Sequence, residues 1–201
     1  GQISQFRKYL HLDIAVITAI APEHMEFFET IENGAEEEWS VSFFSDLVLA
    51  NRDLCKITPE NIDHRKTVFY GKEFGSFYKI ENILKTEKGF SFEISREGKK
   101  IIETEYMAVS EVQLYSVCAA AAVANILKIP EEKIKEGIKK MQSFSGRMQR
   151  LKGIKNSIII DDTYNASPDA VKMALDALYA YEAPQRIAIL GMMNELGKSS
   201  E

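Results

Sequence analysis

Apolar positions in the first part of the chain fall into short runs separated by polar segments. Residues 14–18 read Ile-Ala-Val-Ile-Thr, a continuous β-branched run that predicts a buried strand. A helical pattern follows near residues 25–29, another spans residues 35–44, and residues 46–50 predict a further short strand. This part of the chain is therefore expected to alternate strands and helices.

The middle of the chain changes to the pattern of antiparallel strands. Residues 77–80, 90–94 and 100–103 are rich in aromatic and β-branched side chains, which favour strands. Lys88-Gly89 and Glu97-Gly98 lie between these segments, where tight turns are expected. The segment predicts a small antiparallel sheet. Residues 111–127 then predict a long buried helix, rich in alanine where another element can approach closely.

The last part of the chain begins with a helix and ends with a separate unit. Pro130 is typical of the first turn of a helix, which we expect to run to about Met141. After a hinge-like connector, residues 157–161 predict a strand, residues 168–181 a helix and residues 186–190 a second strand. A strand–helix–strand unit implies a parallel pair with a right-handed crossover, as in an open α/β sheet. The change of pattern places a domain boundary near residue 145.

Composition excludes several classes of protein. Of the 201 residues, 45% are hydrophobic and 27% charged, which is ordinary for a globular protein. The formal net charge of −5 argues against a nucleic-acid partner. Cys55 and Cys118 form neither a CxxC pair nor a disulfide framework, and Cys118 is expected to be a small core residue. No signal peptide and no apolar run of transmembrane length is present, so we expect a cytoplasmic protein without membrane insertion.

Candidate chemistry is concentrated in residues 160–169, Ile-Asp-Asp-Thr-Tyr-Asn-Ala-Ser-Pro-Asp. Asp161 and Asp162 end a predicted strand, and in an open α/β sheet the carboxyl end of a strand is where ligands bind. A carboxylate there can accept hydrogen bonds from ribose hydroxyls. A structural alternative stays open at this point, because Asp162 or Asn165 could simply cap the next helix and satisfy loop amides.

This segment resembles the start of the C-terminal domain of the Mur ligases, specifically those of the MurF type. Four further segments resemble motifs of the same family, and all five occur in the family's order. They are Gly1-Gln2-Ile3-Ser4, residues 18–26, the connector Gly146-Arg147-Met148-Gln149, and residues 191–197. The resemblance therefore covers the whole chain.

The resemblance implies an α/β fold in two domains. Residues 1–145 would be the remainder of a Mur ligase central ATPase domain, with a parallel sheet, a small antiparallel sheet and helices. Residues 146–201 would be the start of a Rossmann-like C-terminal domain. It also implies an ATP-dependent ligase of peptidoglycan precursor synthesis, which uses ATP and Mg2+ to add D-Ala-D-Ala to a UDP-MurNAc-peptide through an acyl phosphate.

Site residues follow from the same resemblance, position by position. His24 and Arg147 are the implied catalytic residues, with His24 at the metal site and Arg147 at a nucleotide phosphate, where its cationic fork suits the oxygen geometry. The nucleotide would also be contacted by four other side chains of the matched motifs. These are Asp161, Asp162, Tyr164 and Asn165. Gln113 is implied at the adenine, and Glu195 matches a motif position but is assigned no catalytic role.

Several departures from the family pattern favour alternatives. No Gly-Thr-x-Gly-Lys-Thr phosphate loop occurs in the sequence, so we expect a piece of a larger protein that lacks an N-terminal segment and is inactive alone. Glu38 falls near the family's carbamylated lysine and either supplies a metal-binding carboxylate itself or belongs to a solvated acidic face. Ala19, Val112 and Met192 replace family ligand positions, which favours a non-catalytic binding or scaffold protein. A third hypothesis is an amide-forming ligase with a different substrate.

Overall fold

The computed structural model describes residues 2–194 and 196. Its α-helices are α1 (Ile3–Phe6), α2 (Met25–Phe28), α3 (Ile31–Trp39), α4 (Gln113–Ile126), α5 (Glu131–Lys140) and α6 (Pro168–Tyr179). Its strands are β1 (Leu12–Ile17), β2 (Ser45–Asn51), β3 (Thr67–Gly71), β4 (Tyr78–Lys85), β5 (Phe90–Arg96), β6 (Lys99–Tyr106), β7 (Gln149–Lys152) and β8 (Ile158–Asp161). Short 3-10 turns occupy Ser40–Phe44, His64–Lys66 and Ile154–Asn156.

Six strands form one mixed sheet in the order β1-β2-β3-β4-β5-β6. The pairs β1–β2, β2–β3 and β3–β4 are parallel, whereas the pairs β4–β5 and β5–β6 are antiparallel. Strands β1, β2 and β3 therefore end at the same edge of the sheet, which is the edge where ligands bind in open α/β sheets. The predicted α/β fold with a parallel sheet and a small antiparallel sheet is confirmed.

Helix α4 lies against this sheet and forms the larger core with it. Leu114, Val117 and Cys118 are fully buried, and they pack with Tyr70, Ile94 and the other apolar residues of β2 to β6. The alanines of α4 allow this close approach because they add little volume. Cys118 is thus the core residue that the sequence predicted, and burial raises the pKa of its thiol.

A smaller core lies on α3. Ala35 and Trp39 are buried against Ala15 and Ile17 of β1, and the indole N–H of Trp39 donates to the carbonyl oxygen of Ile57 at 3.0 Å. Helix α3 begins four residues before the predicted start at 35, because Thr30 caps it by accepting a hydrogen bond from the backbone N–H of Asn33. The chain then tightens into a 3-10 turn over Ser40–Phe44.

The end of the chain differs from the predicted strand–helix–strand unit. Strand β8 pairs with β7, and the pair is antiparallel. Residues 186–190 form no strand, so the predicted parallel pair and its crossover are wrong for the described residues. Ile187 and Ile189 are 67% and 94% exposed, because no described strand offers them hydrogen bonds and a surface to pack on. β-Propensity without a partner does not make a strand.

Strand β3 is a second difference. The sequence pattern predicted no strand between residues 50 and 77, but β3 forms there and pairs in parallel with both β2 and β4. The described residues contain no helix long and apolar enough to cross a membrane.

A contact between β4 and the end of α6 links the two parts of the chain, since the Lys85 ammonium donates to the carbonyl oxygen of Ala180 at 3.1 Å.

Candidate functional site

His24 lies just beyond the carboxyl end of β1, at the N-terminus of α2. Its backbone is left-handed, with φ 53° and ψ 37°, and its side chain is exposed. A non-glycine residue in this conformation is uncommon, although histidine adopts it more readily than most. Such residues are concentrated at functional sites, where the surrounding structure holds them in place. The structure therefore places the predicted metal-site histidine at the ligand-binding edge of the sheet, in a constrained loop.

Glu38 faces the same region from α3. Partial burial of its carboxyl group raises its pKa above 4.5, and the charges of Glu37 and Glu23 raise it further, whereas His24 lowers it. The side chain as a whole remains exposed and also lines an apolar cavity of about 260 Å³ beside β1. His24 and Glu38 are therefore close enough to interact electrostatically. Among the residues described, no group of three or more His, Cys, Asp or Glu side chains is arranged to hold a metal ion.

We expect Glu38→Gln to make the protein more stable at pH 7. Because the pKa of Glu38 is raised in the folded state, the folded protein binds more protons than the unfolded chain above pH 4.5. Stability contributed by this group is present at low pH and is lost as the pH rises through that window. The exposed position limits the gain to about 0.5 kcal/mol. Urea unfolding from pH 4 to 8 measures it.

The control for this prediction is Glu36→Gln, on the exposed part of the same helix. It removes a carboxylate and introduces the same amide with the same helix propensity. A gain for Glu38→Gln that shrinks towards acidic pH agrees with the assigned environment. A stability difference that does not change with pH contradicts it.

Gln113 is the first residue of α4, and its side chain forms hydrogen bonds with the preceding loop. Its side-chain carbonyl oxygen accepts hydrogen bonds from the backbone N–H groups of Val109 and Ser110, at 2.6 and 3.3 Å. Its amide nitrogen lies 3.5 Å from the hydroxyl of Ser143. The amide nitrogen is thus the part of Gln113 that can still donate to a nucleotide base. The side chain also fixes the loop that leads into α4.

The structure shows a polar cluster at the ends of β2 and β3 that the sequence analysis did not predict. Asp53 accepts hydrogen bonds from the backbone N–H groups of Lys72 and Glu73, at 2.7 and 3.0 Å. Burial and a hydrogen bond to Asp53 raise the pKa of Tyr115, on α4. Lys72 in turn pairs with Glu111 at 3.1 Å. Asp53 thereby connects β2, β3 and α4 at the ligand-binding edge.

Sequence signals for this cluster were present but weak. The segment Asn51-Arg52-Asp53 is a polar run directly after a buried strand, which is a favourable place for site residues. Asn51 is fully buried, and its side-chain oxygen accepts from the backbone N–H groups of Asp53 and Leu54. Tyr115, the partner of Asp53 on α4, lies far along the chain, so the sequence alone could not show that the two residues are in contact.

The connector and the candidate loop lie side by side. The backbone N–H of Tyr164 donates to the carbonyl oxygen of Gly146 at 3.1 Å. Gly146 is buried and has φ +71°, and a Cβ atom there would lie 3.1 Å from the nitrogen of Tyr164. Only glycine adopts this backbone freely at such a close approach. Two motifs that are separate in the sequence therefore form one surface.

Both aspartates of the loop hold backbone in place. Asp162 accepts a hydrogen bond from the backbone N–H of Met148 at 2.9 Å, and Met148 has a left-handed φ of 50°. Asp161 accepts from the backbone N–H and the hydroxyl of Thr163, at 3.2 and 2.7 Å. Each bond uses one carboxylate oxygen, Oδ1. The structural alternative is thus correct in part, because the carboxylates order the loop, although neither caps α6.

Arg147 and Tyr164 meet in front of this surface. The guanidinium carbon of Arg147 lies 4.0 Å from the centre of the Tyr164 ring, and both side chains are exposed. Asn165 is exposed beside them. The structure therefore brings together the predicted residues of the connector and the loop. Of the last motif, Glu195 and Gly197 lie outside the described residues, as does Gly1 of the first.

Two family models match the sequence. The model of the Mur ligase middle domain matches residues 1–124, and that of the Mur ligase glutamate ligase domain matches residues 146–201. The resemblance drawn from the sequence motifs is thereby confirmed. The division of the chain after residue 145 stays a prediction.

Relatives and solved structures point to the same family. The chain is 28% identical to the UDP-N-acetylmuramoyl-tripeptide–D-alanyl-D-alanine ligase of Haemophilus influenzae, in an alignment that covers 100% of the chain and 44% of that protein. The structure of MurF from Thermotoga maritima in complex with ADP matches with a TM-score of 0.79 and 25% identity, over 100% of this chain and 46% of that one. MurF from Acinetobacter baumannii matches in fold, with a TM-score of 0.82 and 20% identity over 98% and 44%. The chain thus spans less than half the length of these relatives.

Proposed function

The chain belongs to the Mur ligase family, and from this premise we propose that it forms part of an ATP-dependent ligase that joins a carboxylate to an amine. The proposal rests on one observation: Arg147 contacts the loop that contains Asp161 and Tyr164, with its guanidinium over the Tyr164 ring. A guanidinium beside carboxylates at the end of a strand can hold a nucleotide by its phosphate and its ribose.

The proposed reaction is the one named for the MurF relatives, addition of D-Ala-D-Ala to a UDP-MurNAc-tripeptide. An oxygen of the peptide carboxylate attacks the γ-phosphorus of ATP and displaces ADP, which gives an acyl phosphate. The amine of D-Ala-D-Ala then attacks the acyl carbon, and phosphate leaves as the amide forms and the amine loses a proton. Protein groups position the reactants and neutralise the charge that develops.

Residues of this chain would share the nucleotide between them. Arg147 would bind a phosphate, and Asp161 and Asp162 would accept hydrogen bonds from the ribose through the carboxylate oxygens that their backbone bonds leave open. Tyr164 and Asn165 are exposed and would line the same cleft. These exposed groups require no rearrangement of the core to reach a ligand.

The residues present fit a magnesium site of the kind that nucleotides complete. Mg2+ in such sites is held by one or two carboxylates, several waters and the phosphates themselves. Glu38 and His24 would supply the protein side, and a cation would offset the burial and the repulsion from Glu37 and Glu23 that raise the pKa of Glu38. Bound Mg2+ would shield the charge of the triphosphate. Glu38 would then provide directly the carboxylate that carbamylation supplies in relatives.

A scaffold without catalysis is the second candidate, and specific substitutions favour it. Ala19, Val112 and Met192 stand at family ligand positions, and Gln113 uses its carbonyl oxygen locally. We also expect these 201 residues to be inactive alone, because the sequence has no phosphate loop. The intact contact between Arg147 and the loop of Asp161 favours the enzyme.

The test is phosphate release from ATP by the full-length product of the gene that encodes this chain. We expect release that requires both UDP-MurNAc-tripeptide and D-Ala-D-Ala, together with formation of the pentapeptide product. Release that occurs with a different amine in place of D-Ala-D-Ala assigns another ligase substrate. Absence of release with intact, folded protein overturns the proposed function and favours the scaffold.

A further inference from the structure

We propose that Tyr164 is a positioning residue that acts through Arg147. The ring holds the guanidinium in place, so that its N–H groups are presented to an anionic group such as a nucleotide phosphate. This inference rests on the proposed function, because it concerns the same site. It assigns Tyr164 a role on the arginine, in addition to its place in the nucleotide cleft.

The contact between the two side chains is unusually close for this protein. The guanidinium carbon of Arg147 lies 4.0 Å from the ring centre, whereas the other cation–π contacts of the described residues span 5.2 to 6.0 Å. At 4.0 Å the cation is in contact with the face of the ring, where the ring's negative potential is strongest. The stacked face of a guanidinium leaves its N–H edge open to planar oxygen groups.

Backbone structure enforces this pairing. The hydrogen bond from the Tyr164 N–H to the Gly146 oxygen brings the two chain segments together one residue before Arg147. On the other side of Arg147, the N–H of Met148 is held by Asp162 at 2.9 Å. Arg147 is therefore fixed at both neighbouring residues against the loop that carries Tyr164. The contact between the two side chains is thus supported by the positions of their backbones.

The surroundings leave the charge of Arg147 available. Arg147 forms no ion pair among the residues that the structure describes, although Asp161 and Asp162 lie in the same loop. Both aspartates instead accept hydrogen bonds from backbone N–H groups. Carboxylates paired with the arginine would compete with a phosphate for the same N–H groups. An aromatic partner orients the cation without occupying them.

The test compares Tyr164→Leu with Tyr164→Phe in the full-length ligase. Phenylalanine keeps the ring face and removes only the hydroxyl, whereas leucine removes the aromatic face and keeps an apolar side chain. We expect Tyr164→Leu to raise the KM for ATP about 3- to 5-fold, the range of an exposed cation–π contact, and Tyr164→Phe, which keeps the ring, to raise it less than Tyr164→Leu does. The KM for D-Ala-D-Ala should stay unchanged in both. Equal losses in the two variants, or an unchanged KM for ATP in Tyr164→Leu, overturn the proposal.

A second measurement separates this inference from the proposed function. In the NMR spectrum of the 201-residue chain, the Arg147 side-chain Nε–H resonance should show the upfield shift caused by an aromatic ring. The shift should persist in Tyr164→Phe and disappear in Tyr164→Leu, with the backbone amide spectrum showing that both variants are folded. A normal Arg147 resonance in the wild type overturns the stacking, whatever the ligase assay gives. A shifted resonance in a protein without ligase activity upholds the stacking and rejects only the enzyme.

Discussion

Gly89→Ala is expected to destabilise the protein by about 3 kcal/mol. A Cβ atom at residue 89 would overlap the carbonyl oxygen of Tyr106 and would lie 2.7 Å from the backbone nitrogen of Ala108. Both obstacles are backbone atoms at the end of β6, so no side chain can move aside. The strands that pair Phe90 with Tyr106 would have to separate locally. Urea unfolding of the two proteins measures the difference.

Gly137→Ala is the matched control, with the opposite expected sign. Gly137 lies within α5, is exposed, and has open space where its Cβ would be. Alanine there should stabilise the protein by about 0.5 to 1 kcal/mol, because glycine loses more conformational freedom in a helix. If Gly89→Ala is as stable as the wild type, the close approach of β5 and β6 described here is incorrect.

Arg147→Ala is expected to lower kcat/KM for ATP in the proposed ligase about 100-fold. The substitution removes the cation that would neutralise a phosphate during transfer, and nothing in the neighbouring loop replaces it. Arg147→Lys should recover only part of the loss, because an ammonium cannot offer the two parallel N–H groups of a guanidinium. Unfolding should change little, since the side chain is exposed and lies outside the core.

The control for Arg147 is Arg65→Ala. Arg65 is also an exposed arginine, and it pairs with Asp63 at 3.0 Å. It lies before the start of β3 and thus at the opposite edge of the sheet. We expect its removal to leave kcat/KM unchanged. If Arg147→Ala retains full activity while folded, Arg147 is not a phosphate ligand. The role that the resemblance to the Mur ligases implies for this residue is then wrong.

Much of the fold could be predicted because its elements have strong local patterns. The β-branched run of β1 and the alanine-rich α4 were found for this reason. Strand β3 was missed, because its run of five residues is too short for an alternating pattern to stand out. Residues 186–190 have strand composition, but a strand also requires a neighbour to bond with. The close approach at Gly89 was invisible for the same reason, since its obstacle is the backbone of β6.

Part of the candidate site could also be predicted from the sequence, and part could not. The loop of Asp161 to Asn165 and the connector at Gly146 were found by motif, and the structure brings them together. The sequence could not predict that Asp162 would bind the backbone of Met148, because a carboxylate in a loop has many possible partners. The cluster around Asp53 was missed, because its link to Tyr115 depends on how α4 lies on the sheet. Motifs identify residue types, whereas hydrogen-bond partners depend on the tertiary fold.

Calorimetric titration of Mg-ATP measures whether the surface around Arg147 binds a nucleotide. It should be carried out on the 201-residue chain and on the full-length gene product, with Arg147→Ala of the latter beside them. We expect binding of one ATP per full-length protein, clearly weaker binding in the variant, and no measurable binding to the 201 residues alone. Absence of binding to the folded full-length protein would contradict it, because the surface formed by Arg147, Asp161 and Tyr164 would then serve no nucleotide.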